Sequence, residues 1–340
     1  MKHKQLVSIA CLTLGTAGLV SAQTVATPAA QARSAAVDMN VLHVQVILDK
    51  LGFSPGVLDG KRGQSLTSAI KGFQTAKGLK VTGEMDRVTL RALHQYRQWR
   101  PTRTLLVSAS ALAGPFTNPF PKDAVEQSKL PALNYRNALE KLAEQFHTTP
   151  EVLIALNGPQ AQLTAGRQMV FPNALPLSRD YKAGIEESWR TTLNGLNVSA
   201  QQPEAAKVVV DKSDGVLRVY DKAEKLIAQF PATMGSSHDP LPLGNWTIKG
   251  AAYNPTWKYN PGILRTADKS DPVVEVPAGP NSPVGVVWLD LSKEHYGIHG
   301  TNEPSQIGRA ESNGCIRLTN WDAARLSLMV KPGTPALFQA

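Results

Sequence analysis

Cys315 stands in the stretch GRAESNGCIRLTN, and the only other cysteine among the 340 residues is Cys11. A lone cysteine is either a small hydrophobe in a core or a reactive thiol. Asn313 and Gly314 before it and Arg317 after it argue against a place in a buried helix. A thiol is only a few per cent ionised near neutral pH, so a nucleophilic Cys315 needs a base. Of the seven histidines, His43, His94 and His147 lie upstream in helical sequence, and His238, His295 and His299 lie in the same β-rich region as the thiol. His299 ends a predicted strand, and Gly300 after it breaks the strand and can turn the ring toward a cleft; His295 reads as a turn residue. His299 and Cys315 are 16 residues apart, joined by a loop containing Gly, Pro and Asn. No metal site and no cofactor are expected, since one cysteine and dispersed histidines lack ligand spacing.

The chain opens MKHKQLVSIACLTLGTAGLVSAQ, with a basic head, an apolar run and a small-residue site before Gln23. That layout predicts a signal peptide over residues 1–22, which would remove Cys11 and leave Cys315 alone in an oxidising compartment. No later apolar run approaches the ~18 residues needed to span a bilayer. An exported protein, periplasmic by its plain signal, is the expectation. The formal charge of +9 falls to +7 without Lys2 and Lys4. Such a basic protein suits an anionic polymer or surface; nucleic acid is excluded as a partner by compartment and by the lack of a basic and aromatic stripe.

The elements that must position the thiol fall into blocks. After a flexible leader over 23–38, Val41, Val44, Ile47, Leu48 and Leu51 fall at helical spacing, as do Leu66, Ala69, Ile70 and Phe73, and Asp86 reads as the N-cap of a third helix. This block, 39–99, resembles the peptidoglycan-binding three-helix repeat, matched by Asp59, Gly60, Gly63, Ala69, Phe73, Gln74, Gly83, Asp86, Thr89 and Leu93. It departs at Leu66, where a capping Thr is usual, and Ser65 is the expected substitute cap. Residues 100–133 carry prolines in a polar stretch and read as a linker. Residues 134–173 resemble the LysM sugar-binding unit through LA-x-x-F, T-x-x-L-x-x-LN and the closing MVFP, with Thr149-Pro150-Glu151 as a helix start; the usual first strand is missing. A second linker is expected over 174–205.

From residue 206 to the end, short branched and aromatic runs alternate with Gly, Pro, Asp and Asn, and only Asn320 to Val330 reads as helix. The expected architecture is multidomain α+β: a three-helix bundle, a small βααβ unit and a β-rich C-terminal sandwich. HGTNEPSQIGRAESNGCIRL, with MGSSHDPLPLGNWTI upstream, resembles the L,D-transpeptidase (YkuD-type) catalytic signature. The resemblance implies Cys315 as nucleophile, His299 as base, and the Gly300 carbonyl as holder of the other ring nitrogen. It implies an oxyanion hole from backbone N–H groups around Asn313, Gly314 and Cys315, a hydroxyl contact from Ser312, and Arg317 gripping a substrate carboxylate or ordering the loop. Asn313 departs from the histidine found there in many members. Tyr253, Trp257, Tyr259, Trp288 and Tyr296 are candidates for cleft lining or for core packing.

The implied substrates are peptidoglycan stem tetrapeptides, with glycan strands held by the N-terminal units. The implied product is a 3-3 crosslink formed with release of D-alanine. The same acyl-enzyme could instead be resolved by a lysine of an outer-membrane protein or by water. From another class, a wall-binding adaptor with a silent catalytic domain is the alternative.

Overall fold

The computed structural model describes residues 36–235, 239–264, 267–308 and 314–340. The expected signal peptide and most of the leader, and also His238, Ser312 and Asn313, lie outside the described residues.

Three helices open the fold: α1 (Met39–Lys50), α2 (Gln64–Ala76) and α3 (Arg87–Leu93). Asp38 and Asp86 accept hydrogen bonds from first-turn N–H groups of α1 and α3, which supplies partners for donors the helix itself leaves bare. α2 begins after Gly63 with no side-chain cap, so Ser65, expected as the cap, lies inside the first turn. The apolar residues at helical spacing meet in one core around Phe73.

The stretch 100–133, expected as a linker, is structured. It contains β1 (Thr102–Leu106), α4 (Ala109–Leu112) and α5 (Ala124–Gln127), and is followed by α6 (Ala138–Gln145), α7 (Pro150–Asn157) and β2 (Gln168–Pro172). β1, a strand not expected from the sequence, pairs antiparallel with β2. Its TRTLL sequence hid it, because this strand of a small two-stranded sheet is mostly solvent-facing and carries no apolar alternation. The second expected linker, 174–205, is corrected too: it holds α8 (Glu187–Gly195), whose Trp189 and Leu193 are buried in the largest core.

The C-terminal region comprises β3 (Lys207–Asp211), β4 (Val216–Tyr220), β5 (Leu226–Pro231), β6 (Thr233–Met234), β7 (Gly244–Tyr253), β8 (Trp257–Tyr259) and β9 (Val274–Val276). It continues through β10 (Val287–Leu291), β11 (Gly297–His299), β12 (Ile316–Arg317), α9 (Asn320–Met329) and β13 (Pro335–Gln339). Among the described residues one mixed sheet runs β5-β4-β3-β13-β7-β10-β11-β12-β6, and β8-β9 form a separate hairpin. The strand alternation of Val287, Leu289 and Leu291 sends these side chains into the core with Trp321 and Phe338, and leaves Trp288 and Asp290 on the opposite face.

The helical units are not tethered loosely. Residues 35–340 form one compact unit. Ser54 N–H donates to Gln229 O at 2.9 Å, and Gln229 Nε2 donates to Ser68 O at 2.6 Å, which joins the helical bundle to β5. A buried ionic junction adds to this: Arg325 of α9 meets Asp49 of α1 at 3.2 Å, Asp49 meets His147 at 3.1 Å, and the His147 ring stacks on Trp321 with centroids 4.9 Å apart. Burial alone would raise the Asp49 pKa, but the Arg325 and His147 charges outweigh it and hold the carboxyl far below the usual range.

Candidate active site

The register of β10, β11 and β12 decides which side chains share a face. Trp288 is opposite His299, and His299 is opposite Arg317. Cys315 precedes Arg317 by two residues, and the two-residue repeat of an extended chain returns it to the Arg317 face. Ile298 and Ile316 point the other way, into the core. Trp288, His299, Cys315 and Arg317 therefore form one surface, which is part of the lining of a cleft of about 930 Å³. The β8-β9 hairpin contributes Trp257 and Tyr259 to the same cleft.

His299 is 4% exposed, and a ring nitrogen, Nδ1, lies 2.7 Å from the Gly300 carbonyl oxygen. A carbonyl can only accept, so Nδ1 carries the proton and Nε2 is left as the basic nitrogen. Burial, reinforced by the Arg317 charge and opposed by the Gly300 carbonyl, brings the imidazole pKa down to about 3. The ring is neutral at physiological pH and able to take a proton.

Cys315 is half-buried, with Sγ donating to the His295 carbonyl oxygen at 3.9 Å. Burial pushes the thiol pKa up, while the Gly297 backbone N–H and the Arg317 charge pull against it. Both shifts favour the neutral forms, a protonated thiol and an uncharged imidazole. Arg317 has its Nε buried with no hydrogen-bond acceptor among the described residues, where buried polar groups are normally paired.

Gly314 has φ +91°, and a Cβ there would lie 2.8 Å from the Tyr296 ring, so the residue before the thiol has two reasons to be glycine. At Gly297 a Cβ would meet the Trp288 indole at 2.4 Å; the missing side chain lets the indole lie across the strand.

The structure brings Cys315, His299, Gly300, Gly314 and Arg317 together, whereas Ser312 and Asn313 fall outside the described residues. His295, read as a turn residue, has φ +66° between β10 and β11 and lines the cleft. Of the aromatic candidates, Trp257, Tyr259 and Trp288 line the cleft, Tyr253 stacks on Trp189 at 4.6 Å instead, and Tyr296 packs beside Gly314. Sequence reasoning missed Lys122, Asp123, Ala124 and Gln127, which line the cleft from the stretch taken for a linker. It also missed Asn320, whose amide accepts from Val286 N–H at 3.2 Å and donates to Glu144 at 2.8 Å beside the Gly300 turn. Nothing local in the sequence distinguishes these residues.

The β-sheet domain presents a thiol, an imidazole and a guanidinium in one cleft, and the comparisons specify the family. Residues 205–337 match the family described as "L,D-transpeptidase catalytic domain", and residues 38–93 match "Putative peptidoglycan binding domain". The chain is 30% identical over 201 residues to the "Putative L,D-transpeptidase YkuD" of Bacillus licheniformis, covering 58% of this chain and 90% of that protein. It is 50% identical over 200 residues to the protein of the same name from Bacillus subtilis, covering 58% and 91%. The NMR structure of the catalytic domain from the E. faecium L,D-transpeptidase aligns with 41% of this chain and 100% of that one, at 21% identity and TM-score 0.31. The chain belongs to the L,D-transpeptidase family and carries an N-terminal peptidoglycan-binding domain. No helix among the described residues is long and apolar enough to cross a membrane.

Proposed function

We propose that this transpeptidase works through Cys315 on peptidoglycan stem tetrapeptides in the cell wall of the periplasm. The observation that carries the reading is the shared face of Cys315, His299 and Arg317, with His299 Nδ1 fixed on the Gly300 carbonyl. Cys315 Sγ attacks the carbonyl between the third and fourth residues of the stem as its proton passes to His299 Nε2. Backbone N–H groups around Asn313, Gly314 and Cys315 take the developing oxyanion. The tetrahedral adduct collapses, the C–N bond breaks, and the departing D-alanine amine takes the proton back from His299. The acyl-thioester is then attacked by the side-chain amine of a neighbouring stem, which gives up a proton to His299 and yields a 3-3 crosslink with the thiol restored. Arg317, whose buried Nε has no acceptor among the described residues, holds a substrate carboxylate. The unit over 134–173 serves as a LysM-like glycan contact, and the helical bundle as a second wall contact, each raising the local concentration of stems.

The test is D-alanine release and product analysis with purified disaccharide tetrapeptide. Wild type should release D-alanine and form a dimer, and Cys315→Ala and His299→Gln should do neither; equal release by Cys315→Ala would sink the assignment.

A further inference from the structure

Part of the cleft lining comes from far outside the catalytic domain. Lys122, Asp123, Ala124 and Gln127 lie between β1 and α6, yet they line the cleft that holds Cys315 and His299. This segment is fastened to the hairpin beside the thiol. Leu133 shares a buried cluster with Tyr259 of β8 and Val276 of β9, and Phe120, Ala124 and Leu130 pack against the same cluster. The Leu133 N–H donates to Ala278 O at 2.9 Å, its carbonyl accepts from Asn281 N–H at 3.1 Å, and Asn281 Nδ2 donates to Asn134 O at 2.9 Å. Within the segment, Asp123 caps α5 through Glu126 N–H at 3.0 Å, and Gln127 Nε2 donates to Pro121 O at 2.9 Å. Lys122 is thereby set between two fixed points. Its side chain is exposed, and it makes no ion pair among the described residues.

We propose that this strap is a specificity element of the reaction, in which Lys122 binds a carboxylate of the extended donor peptide reaching away from Cys315. The inference rests on the donor assignment made above. A cleft of about 930 Å³ is much larger than one alanine residue, so an extended donor has length left to reach the strap. Asp123, Asp239, Asp268, Asp271 and Glu303 also line the cleft, but at the Lys122 ammonium itself a carboxylate is the complementary charge. Iodoacetamide is neutral and carries no carboxylate for Lys122 to bind. The unit containing β1 and α6 accordingly reads the same peptide that the thiol cleaves.

The experiment compares wild type, Lys122→Glu and Lys122→Arg in two assays: steady-state D-alanine release from disaccharide tetrapeptide, and alkylation of Cys315 by iodoacetamide. Lys122→Glu puts repulsion in the place of a charge-assisted hydrogen bond, which should raise KM roughly tenfold, with kcat changed by less than about twofold. Lys122→Arg should restore KM, and the alkylation rate should be the same in all three proteins. An unchanged KM in Lys122→Glu would overturn the proposal while leaving the donor assignment intact. Equal slowing of alkylation would overturn it as well, since the substitution would then act on the thiol. Absence of D-alanine release by wild type would overturn the donor assignment and this inference together.

Discussion

The imidazole of His299 lies against the indole of Trp288, with ring centroids 5.2 Å apart and planes 17° from parallel. The two residues are opposed on β11 and β10, so their stacking is set by strand register rather than by a loop. The indole holds the ring plane while the Gly300 carbonyl holds Nδ1. Trp288→Ala should lower kcat for D-alanine release by about 10- to 100-fold, because a misplaced base costs orders of magnitude. Trp288→Phe, which keeps a flat partner, should recover part of the loss.

The pKa of His299 sets a pH dependence of known sign. The folded pKa of about 3 is below the ordinary 6.5, so below pH 6.5 the unfolded chain takes up a proton that the folded protein refuses. The contribution to stability is full above pH 6.5 and is lost as pH falls toward 3, on the order of 5 kcal/mol in total. Denaturant titrations from pH 7 to pH 4 should show this loss in wild type, and a shallower one in His299→Gln. For the same reason kcat/KM of wild type should show no decline from imidazole protonation between pH 7 and 5.

Glu144 has the opposite sign. Burial raises its pKa from 4.5 to about 7, although Tyr135 and Asn320 both donate to the carboxyl, at 2.6 and 2.8 Å. The folded protein holds this proton more tightly than the unfolded chain does. Its contribution is full below pH 4.5 and is lost as pH rises through 7, on the order of 3 kcal/mol. Glu144→Gln can still accept from Asn320 and cannot ionise, so its stability relative to wild type should increase across that interval in the same titrations.

At the junction of the helical units with α9, Asp49 faces both Arg325 and His147, and all three are at most 5% exposed. Removing the carboxylate leaves a buried guanidinium short of a partner. Asp49→Ala should cost about 3 to 5 kcal/mol. Calorimetry should show the lower transition involving the helical units and the sheet together, as expected of one compact unit; an early transition of the bundle alone would contradict it.

The residues of the candidate site were more legible in the sequence than the wall around them. Cys315, Gly314 and Arg317 form a short contiguous motif, and His299 ends a strand that its own apolar run announces, so local pattern sufficed. The strands β3 to β7, β9, β10, β11 and β13 showed as runs of branched and aromatic residues, most of which bury apolar side chains. β1 did not show, since its face is largely solvated, and the prolines of the following segment read as a spacer although they lead into a strap packed on Tyr259 and Val276. Pairings such as Glu144 with Asn320, separated by 176 residues, leave no trace in local periodicity. Ser65 failed as a cap because α2 begins at Gln64, two residues before the start that a Ser65 cap implies.

The central claim is that Cys315 forms a covalent acyl bond with the donor stem. Intact mass spectrometry of acid-quenched wild type after brief mixing with disaccharide tetrapeptide tests it most directly. The expected result is a mass increase equal to the donor minus D-alanine, mapped by peptide digestion to Cys315 and absent from Cys315→Ala. Release of D-alanine by wild type with no adduct at any quench time, or the same adduct on Cys315→Ala, would contradict the account.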